Sequence, residues 1–293
     1  MIIIYAPDNK PESKCWQVFD PVMNGGWPDS DISVVSNTSS GFMYTSDCMM
    51  WGFVGQNESI YRRTLETHSV FSSAPTCNVY FTDMPYFGRY SATNPDAECY
   101  WRMIPNALHV NHQDSRLPDD RWKAHGIELQ DWKTNGDHIL LCPSSETMTR
   151  HVYGYGVGDW ILRTMATLST HTDRPIHVRY KPRGNGTSGP DAATIPLEDD
   201  LKNCHAVVTG MSIAAVQAVV AGVPVFSHDD APTAPVGLTN LSGIEAPRYP
   251  DRQPWLNTLC HYQYTPAEIK SGMAYEFLQQ SLDRSIKYGI LPS

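Results

Sequence analysis

Apolar positions come in short bursts over the first part of the chain and in a regular alternation after it. Ile2, Ile3, Ile4 and Tyr5 are apolar on successive positions, so both faces of the segment seek cover, and a buried first strand is predicted. Cys48–Val54 and Asn78–Phe81 predict further strands, joined by long, aromatic, Pro-containing connections. Asp119-Asp120-Arg121-Trp122 begins a short amphipathic segment. Trp132-Lys133-Thr134-Asn135-Gly136 is polar and turn-forming and reads as a linker, which divides the chain near residue 135.

The second part alternates. His138–Cys142 predicts a strand. Asp159–Ser169 predicts a helix with Trp160, Ile161, Met165 and Leu168 on one face and Asp159 as its N-cap. Pro175–Tyr180 predicts a strand, Leu197–Cys204 a short helix, Ala206–Thr209 a strand, Ser212–Ala221 a helix and Val223–Ser227 a strand. Strands and helices at this spacing imply parallel pairing through right-handed crossovers. Thr265-Pro266-Ala267-Glu268 is a capping box with proline at the first helical position, opening a last helix that runs to Arg284. The expected class is α/β, with a first domain over 1–135, a second over 136–264 and a closing helix over 265–293.

Composition narrows the function. The chain has 293 residues, 41% hydrophobic and 18% charged, enough for two cores of moderate size. A net charge of −9 excludes the broad basic footprint of a general nucleic-acid binder. It leaves room for a local basic groove that uses Arg62, Arg63 and Arg89. The seven cysteines are scattered without a CxxC pair and read as small buried apolar residues. Met1–Pro7 is too short, and lacks the basic flank, for a signal peptide. No apolar run reaches the roughly 20 residues that span a bilayer. The expected compartment is the cytoplasm.

The segment LKNCHAVVTGMSIAAVQAVVAGVPVFS, Leu201–Ser227, carries the most chemistry. A helix of small residues follows a strand through the turn Thr209-Gly210-Met211-Ser212. The helix's N–H groups then face the carboxyl edge of a parallel sheet, where ligands lie in such folds. Gly210 lets a phosphate approach the backbone, and Ser212 can cap the helix or donate to that phosphate. With no ligand, the same segment is an ordinary strand–turn–helix.

CHAVVTGMSIAAVQAVVAGVPVF resembles the donor-domain signature of GT-B glycosyltransferases of the capsule and lipopolysaccharide kind, and the similarity extends more loosely over residues 137–265. VYFTDMPYFGRY, and the tail DRQPWLNTLCHYQYTPAEIKSGMAY, are similar to segments of glycosyltransferase-like proteins of tailed bacteriophages. The resemblance implies two Rossmann-like domains facing across a cleft and a C-terminal helix crossing back to the first domain. It also implies a nucleotide-sugar donor, expected to be UDP-linked, and no cofactor or metal. The chain is short for the class.

Donor residues follow from chemistry at the expected cleft edge. Ser144, Ser145 and Glu146 follow the strand His138–Cys142, and their oxygens can hold phosphate or base. Arg179 and Lys181 belong to the densest basic cluster of the domain and can stabilise a leaving diphosphate. Lys181 can equally be a solvated loop residue. Thr209, Gly210, Met211 and Ser212 form the phosphate turn. His228 can touch phosphate or ribose, or be an exposed loop histidine. For the acceptor hydroxyl a general base is needed, and Asp83, at the end of an apolar strand, is the candidate. It can instead cap the turn Met84–Phe87. Glu146 and Asp47 come next. Arg89, Tyr100, Arg102 and Asn106 can line an acceptor site. The acceptor suggested by the phage-like segments is a hydroxymethylpyrimidine base in phage DNA, reached in the major groove or flipped out. A surface polysaccharide, or a non-catalytic protein that binds nucleotide sugars, are the alternatives.

Overall fold

The structure, a computed structural model, is described over residues 2–6, 13–28, 32–36, 46–52, 77–88, 99–180 and 195–288. It divides into two compact units. The first comprises Met1–Leu108 and Cys260–Ser293, the second His109–Leu259. The chain therefore leaves the first unit at 108/109 and returns at 259/260, where the sequence pattern put divisions at 135/136 and 264/265.

In the first unit β1 (Ile2–Ala6) is buried at all five positions, as its unbroken apolar run requires. After α1 (Trp16–Pro21) the chain adds β2 (Ile32–Ser36), and β1 lies between β2 and β3 (Asp47–Trp51), parallel to both. Next comes β4 (Val79–Asp83), parallel to β3, and then β5 (Trp101–Pro105), antiparallel to β4.

The second unit begins with a non-regular stretch and the one-turn α2 (Asp120–Ala124). Its sheet is built from β6 (His138–Cys142), α3 (Glu146–Tyr153), α4 (Val157–Leu168), β7 (Ile176–Val178), α5 (Leu197–Asp200), β8 (Cys204–Thr209), α6 (Ala214–Val220) and β9 (Val225–Phe226). The strand order is β7-β6-β8-β9, all parallel. The alternate residues Ile139, Leu141, Ala206 and Val208 share a core with Trp160, Ile161 and Leu168 of α4. That is the period-2 face of the sheet meeting the apolar stripe of the helix. Then α7 (Gln253–His261), β10 (Gln263–Tyr264), α8 (Pro266–Lys270) and α9 (Met273–Tyr288) close the chain. With β10 antiparallel to β5, the first sheet runs β10-β5-β4-β3-β1-β2.

Several expectations are corrected. Trp132–Gly136 is no free linker. Gln130 and Lys133 donate their backbone N–H groups to Val220 and Gly222, and Lys133 Nζ reaches the Leu201 carbonyl at 2.6 Å. Gly222 stands at φ 76°, and a Cβ there would lie 2.0 Å from the Asp131 carbonyl oxygen. The segment docks by its backbone, which composition does not reveal. The last helix is two: the Thr265–Glu268 capping box forms as expected, but the chain turns at Gly272, φ 86°, before α9. The N-cap of α4 is Gly156; Asp159 sits in the first turn, where its charge suits the helix dipole. The strand expected over Asn78–Phe81 runs from Val79 to Asp83, and neither β5 nor β10 was anticipated.

Candidate functional site

Strand order fixes where the second unit can bind a ligand. From β6 the chain crosses to β7 on one side, and from β7 it crosses to β8 on the other side of β6. The carboxyl ends of β6 and β8 thus flank a topological switch point, the place where open parallel sheets leave a crevice. Ser144 and Gly210 occupy it. Ser144 Oγ accepts from the Met211 N–H at 2.9 Å, and the Gly210 carbonyl accepts from the His228 N–H at 3.0 Å. The expected turn is present, but its donors are occupied. Ser212 N–H points at Thr209 Oγ1 (3.4 Å) and Ala214 N–H at Ser212 Oγ (3.3 Å), while the buried Thr209 hydroxyl donates to the Cys142 carbonyl. Hydroxyl acceptors of this kind are replaceable by phosphate oxygens, whose bonds to N–H are charge-assisted and stronger.

Beside the turn lies a cavity of about 300 Å³ at the carboxyl ends of β8 and β9. One wall is aromatic: Tyr153, Tyr155 and Trp160. Arg163, Thr164 and Thr167 of α4 add polar groups, and Ser227, His228 and Asp229 face in from the end of β9. The Arg163 guanidinium lies 4.8 Å from the Tyr155 ring centroid, a cation–π platform at the rim. His228 Nδ1 accepts from the Asp230 N–H at 3.1 Å, so in the neutral ring the proton sits on Nε2 as a donor. Tyr153, Tyr155 and Arg163 were not singled out from sequence. Their signal was there: residues 160, 163, 164 and 167 follow the helical period i, i+3, i+4, i+7, beside a Tyr-Gly-Tyr-Gly stretch.

Other candidates have other partners. Arg179 stands at the end of β7 but is 10% exposed, ion-paired with Asp200 and donating through Nη2 to the Ile195 carbonyl at 2.9 Å. Ser145 caps α3, accepting from Met148 N–H. Glu146 joins α3 to α4, accepting from Val157 N–H at 2.9 Å and Arg150 Nε at 2.6 Å. The backbone bond from Val157 first, then Arg150, hold its carboxyl below the usual range, the opposite of what a general base needs. Lys181 and Arg89 lie outside the described residues.

In the first unit, Asp83 ends β4. Its Oδ2 accepts from Arg102 Nη2 at 2.7 Å and its Oδ1 from Met84 N–H at 2.7 Å. Arg102, only 2% exposed, has the Phe81 and Tyr86 rings at 5.7 and 5.5 Å. Gln263 Oε1 accepts from both Tyr86 and Phe87 N–H, fixing the turn after Asp83. Tyr100, half-buried, donates its backbone N–H to Gly88 O, so Tyr100 and Arg102 belong to the Asp83 end of the sheet. Asn106 does not. It sits at φ 58°, bonded to Val79 and Asn78, at the amino end of β4, about 13 Å from Asp83 by strand rise. Asp47 is at that far end too, accepting from Asn78 N–H. Both are turn-makers at the wrong edge to share a site with Asp83.

No family profile and no curated protein matches the sequence. Solved structures do match. Thermosulfurimonas dismutans KpsC, beta Kdo 2,4 transferase, aligns over 94% of this chain and 97% of its own, with a TM-score of 0.51 and 12% identity. The fold of this chain is similar to that of this transferase. The KpsC beta Kdo 2,7 transferase of the same organism aligns over 96% and 99%, with a TM-score of 0.47 and 13% identity. At such identity the likeness speaks for architecture, and chemistry has to come from the site.

Proposed function

We propose that the chain is a glycosyltransferase that takes a nucleotide-sugar donor at the carboxyl edge of the second unit's sheet. The observation that carries this reading is the aromatic-walled cavity of about 300 Å³ lying beside the β6/β8 switch point. A planar base suits the tyrosine and tryptophan wall, and a phosphate suits the Gly210 turn. The organisation is GT-B-like: the donor on 109–259, the acceptor on the first unit, to which the C-terminal helices belong. Asp83 is the proposed general base, oriented by Arg102 and the Met84 N–H. The donor is UDP-linked, no metal takes part, and Lys181 joins Ser144 and Ser212 on the phosphates. A hydroxymethylpyrimidine base in phage DNA is the proposed acceptor; its support is the phage-like segments of the sequence.

Mass spectrometry of hydroxymethylated and plain DNA, incubated with the protein and a panel of nucleotide sugars, tests the whole reading. A hexose-sized mass gain on hydroxymethylated DNA alone is the expected result. Sugar transfer to a glycan but not to DNA would reassign the acceptor. Calorimetry tests the donor half by itself. Ser212→Ala and Lys181→Ala are expected to weaken nucleotide-sugar binding without unfolding, and unchanged affinity in both would remove the turn from the site.

A further inference from the structure

One side chain stands between the cavity and the Gly210 turn. Tyr153 lines the cavity, and its ring edge and hydroxyl also cover the bare Cα of Gly210. A Cβ placed on Gly210 would lie 3.2 Å from both Tyr153 Cε2 and Oη, and 3.1 Å from Ser144 Oγ. Glycine at this strand end leaves space for an anion to meet the backbone. Here a phenol fills that space.

Tyr153 packs on the edge of the second unit's core, with the Trp160 ring centroid 6.2 Å away. Burial, the largest effect, pushes the phenol pKa up against an opposing pull from Trp160, so the group is a neutral hydrogen-bond donor. The His228 ring meets it edge-on at 5.7 Å, and Tyr155 lies 5.8 Å away. The next residue, Gly154, is left-handed at φ 76°, with nothing within 4 Å of where its Cβ would be. A short helix thus ends in a permissive residue directly after the ring.

We infer that Tyr153 is the selectivity element of this site: its side chain fills the phosphate seat over Gly210, and a nucleotide whose base enters the cavity displaces it to bring its phosphate to the turn. The inference rests on the donor-site reading above. A nucleoside uses the cavity alone and leaves Tyr153 in place. A nucleotide must also open the seat, and if the seat is open about a tenth of the time, its apparent affinity is about tenfold weaker than the contacts allow.

Calorimetry on the full chain separates the two steps. Uridine with UDP, and the corresponding cytidine, adenosine and guanosine pairs, are titrated into the parent, Tyr153→Ala and Tyr153→Phe. Dividing the diphosphate's affinity by its nucleoside's cancels the lost aromatic wall. That ratio is expected to rise about tenfold in Tyr153→Ala and to stay near the parent's in Tyr153→Phe, which still fills the seat. A ratio within twofold of the parent's in Tyr153→Ala, with both ligands binding, would overturn the inference and leave the donor site standing. Pyrophosphate needs only the turn. If no nucleotide binds any variant but pyrophosphate binds Tyr153→Ala and not the parent, the gate stands and the nucleotide reading falls. If nothing binds any variant, both fall.

Discussion

Arg102 is a guanidinium held out of water beside two aromatic rings, and Asp83 forms an ion pair with it. Asp83→Asn keeps an acceptor for Met84 N–H and for Arg102 but removes the carboxylate's charge. The expected cost is about 1–3 kcal/mol, read as a lower urea midpoint at unchanged slope. The double variant Asp83→Asn/Arg102→Met is expected to lose less than the sum of the singles, since the cation goes as well. An unchanged midpoint for Asp83→Asn would mean that the pair does not hold Arg102 in place. Turnover of this variant, expected to fall by about two orders of magnitude or more for a lost general base, is then measured where both forms are folded. Two glycines make a second residue-scale contrast. Gly222 and Gly154 both stand at φ 76°, but only Gly222 has a carbonyl where its Cβ would go. Gly154→Ala is expected to cost about 1 kcal/mol from backbone strain alone. Gly222→Ala should cost at least twice that and loosen the docked Gln130–Lys133 segment, visible as faster amide exchange at Lys133. Equal costs would argue that the segment yields freely.

At the scale of elements, stability sits in helix ends as much as in faces. The reciprocal bonds of Thr265 and Glu268 start α8, and Thr265→Ala is expected to lose about 1 kcal/mol in chemical denaturation, with Thr265→Ser restoring most of it. A loss below a few tenths would show the box to be redundant with packing. This box was readable from four letters because its chemistry is local, and β6, β8 and α4 were readable because burial imposes a period. Where the determinant was distant, the sequence was silent. β5 carries Arg102 and Pro105, so it does not look like a strand until Asp83 is opposite Arg102, and β10, two residues long, has no period at all. Arg179 looked like a phosphate ligand because its acidic partner, Asp200, lies 21 positions away. The cavity face of α4 escaped notice because Arg163, Thr164 and Thr167, which line the cavity with Trp160, are polar and add nothing to the apolar stripe. The Thr209–Ser212 turn was placed correctly, but nothing local says that Ser144 already bonds its Met211 N–H.

For the whole molecule, acid should act in two stages. His138 is kept below its ordinary pKa of 6.5, first by burial and then by His177 stacked 4.6 Å away; burial does the same to His112 against the opposing pull of Asp114. Both rings stay neutral in the native state while the unfolded chain protonates. Their stabilisation is therefore complete above pH 6.5 and lost as pH falls through that value toward the depressed native pKa. The pKa values of Glu146 and Glu245 are also lowered, but here it is the charged form that is favoured, a carboxylate held below 4.5: Glu146 chiefly by the Val157 N–H, Glu245, against the opposing effect of burial, by Thr172 and Arg174. Their contribution is present above 4.5 and disappears below it. Urea midpoints from about pH 7.5 to 3.5 should show both steps, and His138→Gln should flatten the upper one; an unaltered upper step would place the proton uptake elsewhere. Metal dependence is the other whole-protein test. Because the proposed donor site works through hydroxyls, N–H groups and cations, transfer is expected to survive EDTA, and reversible loss restored by magnesium or manganese would argue for a carboxylate-bound ion instead.

The interrupted first unit bears on how the chain is made. Residues 109–259 leave the ribosome as a contiguous block that can close its own sheet at once, whereas residues 2–108 must wait for the segment from Cys260 onward. Until β10 arrives, β5 is an outer strand with open hydrogen-bonding groups, and Trp101, fully buried in the finished protein, sits on it. A nascent chain stalled before Cys260 would present a sticky strand beside a finished domain. Synthesis of the segment from Cys260 onward is thus the step that makes the newborn protein safe from its neighbours on the polysome.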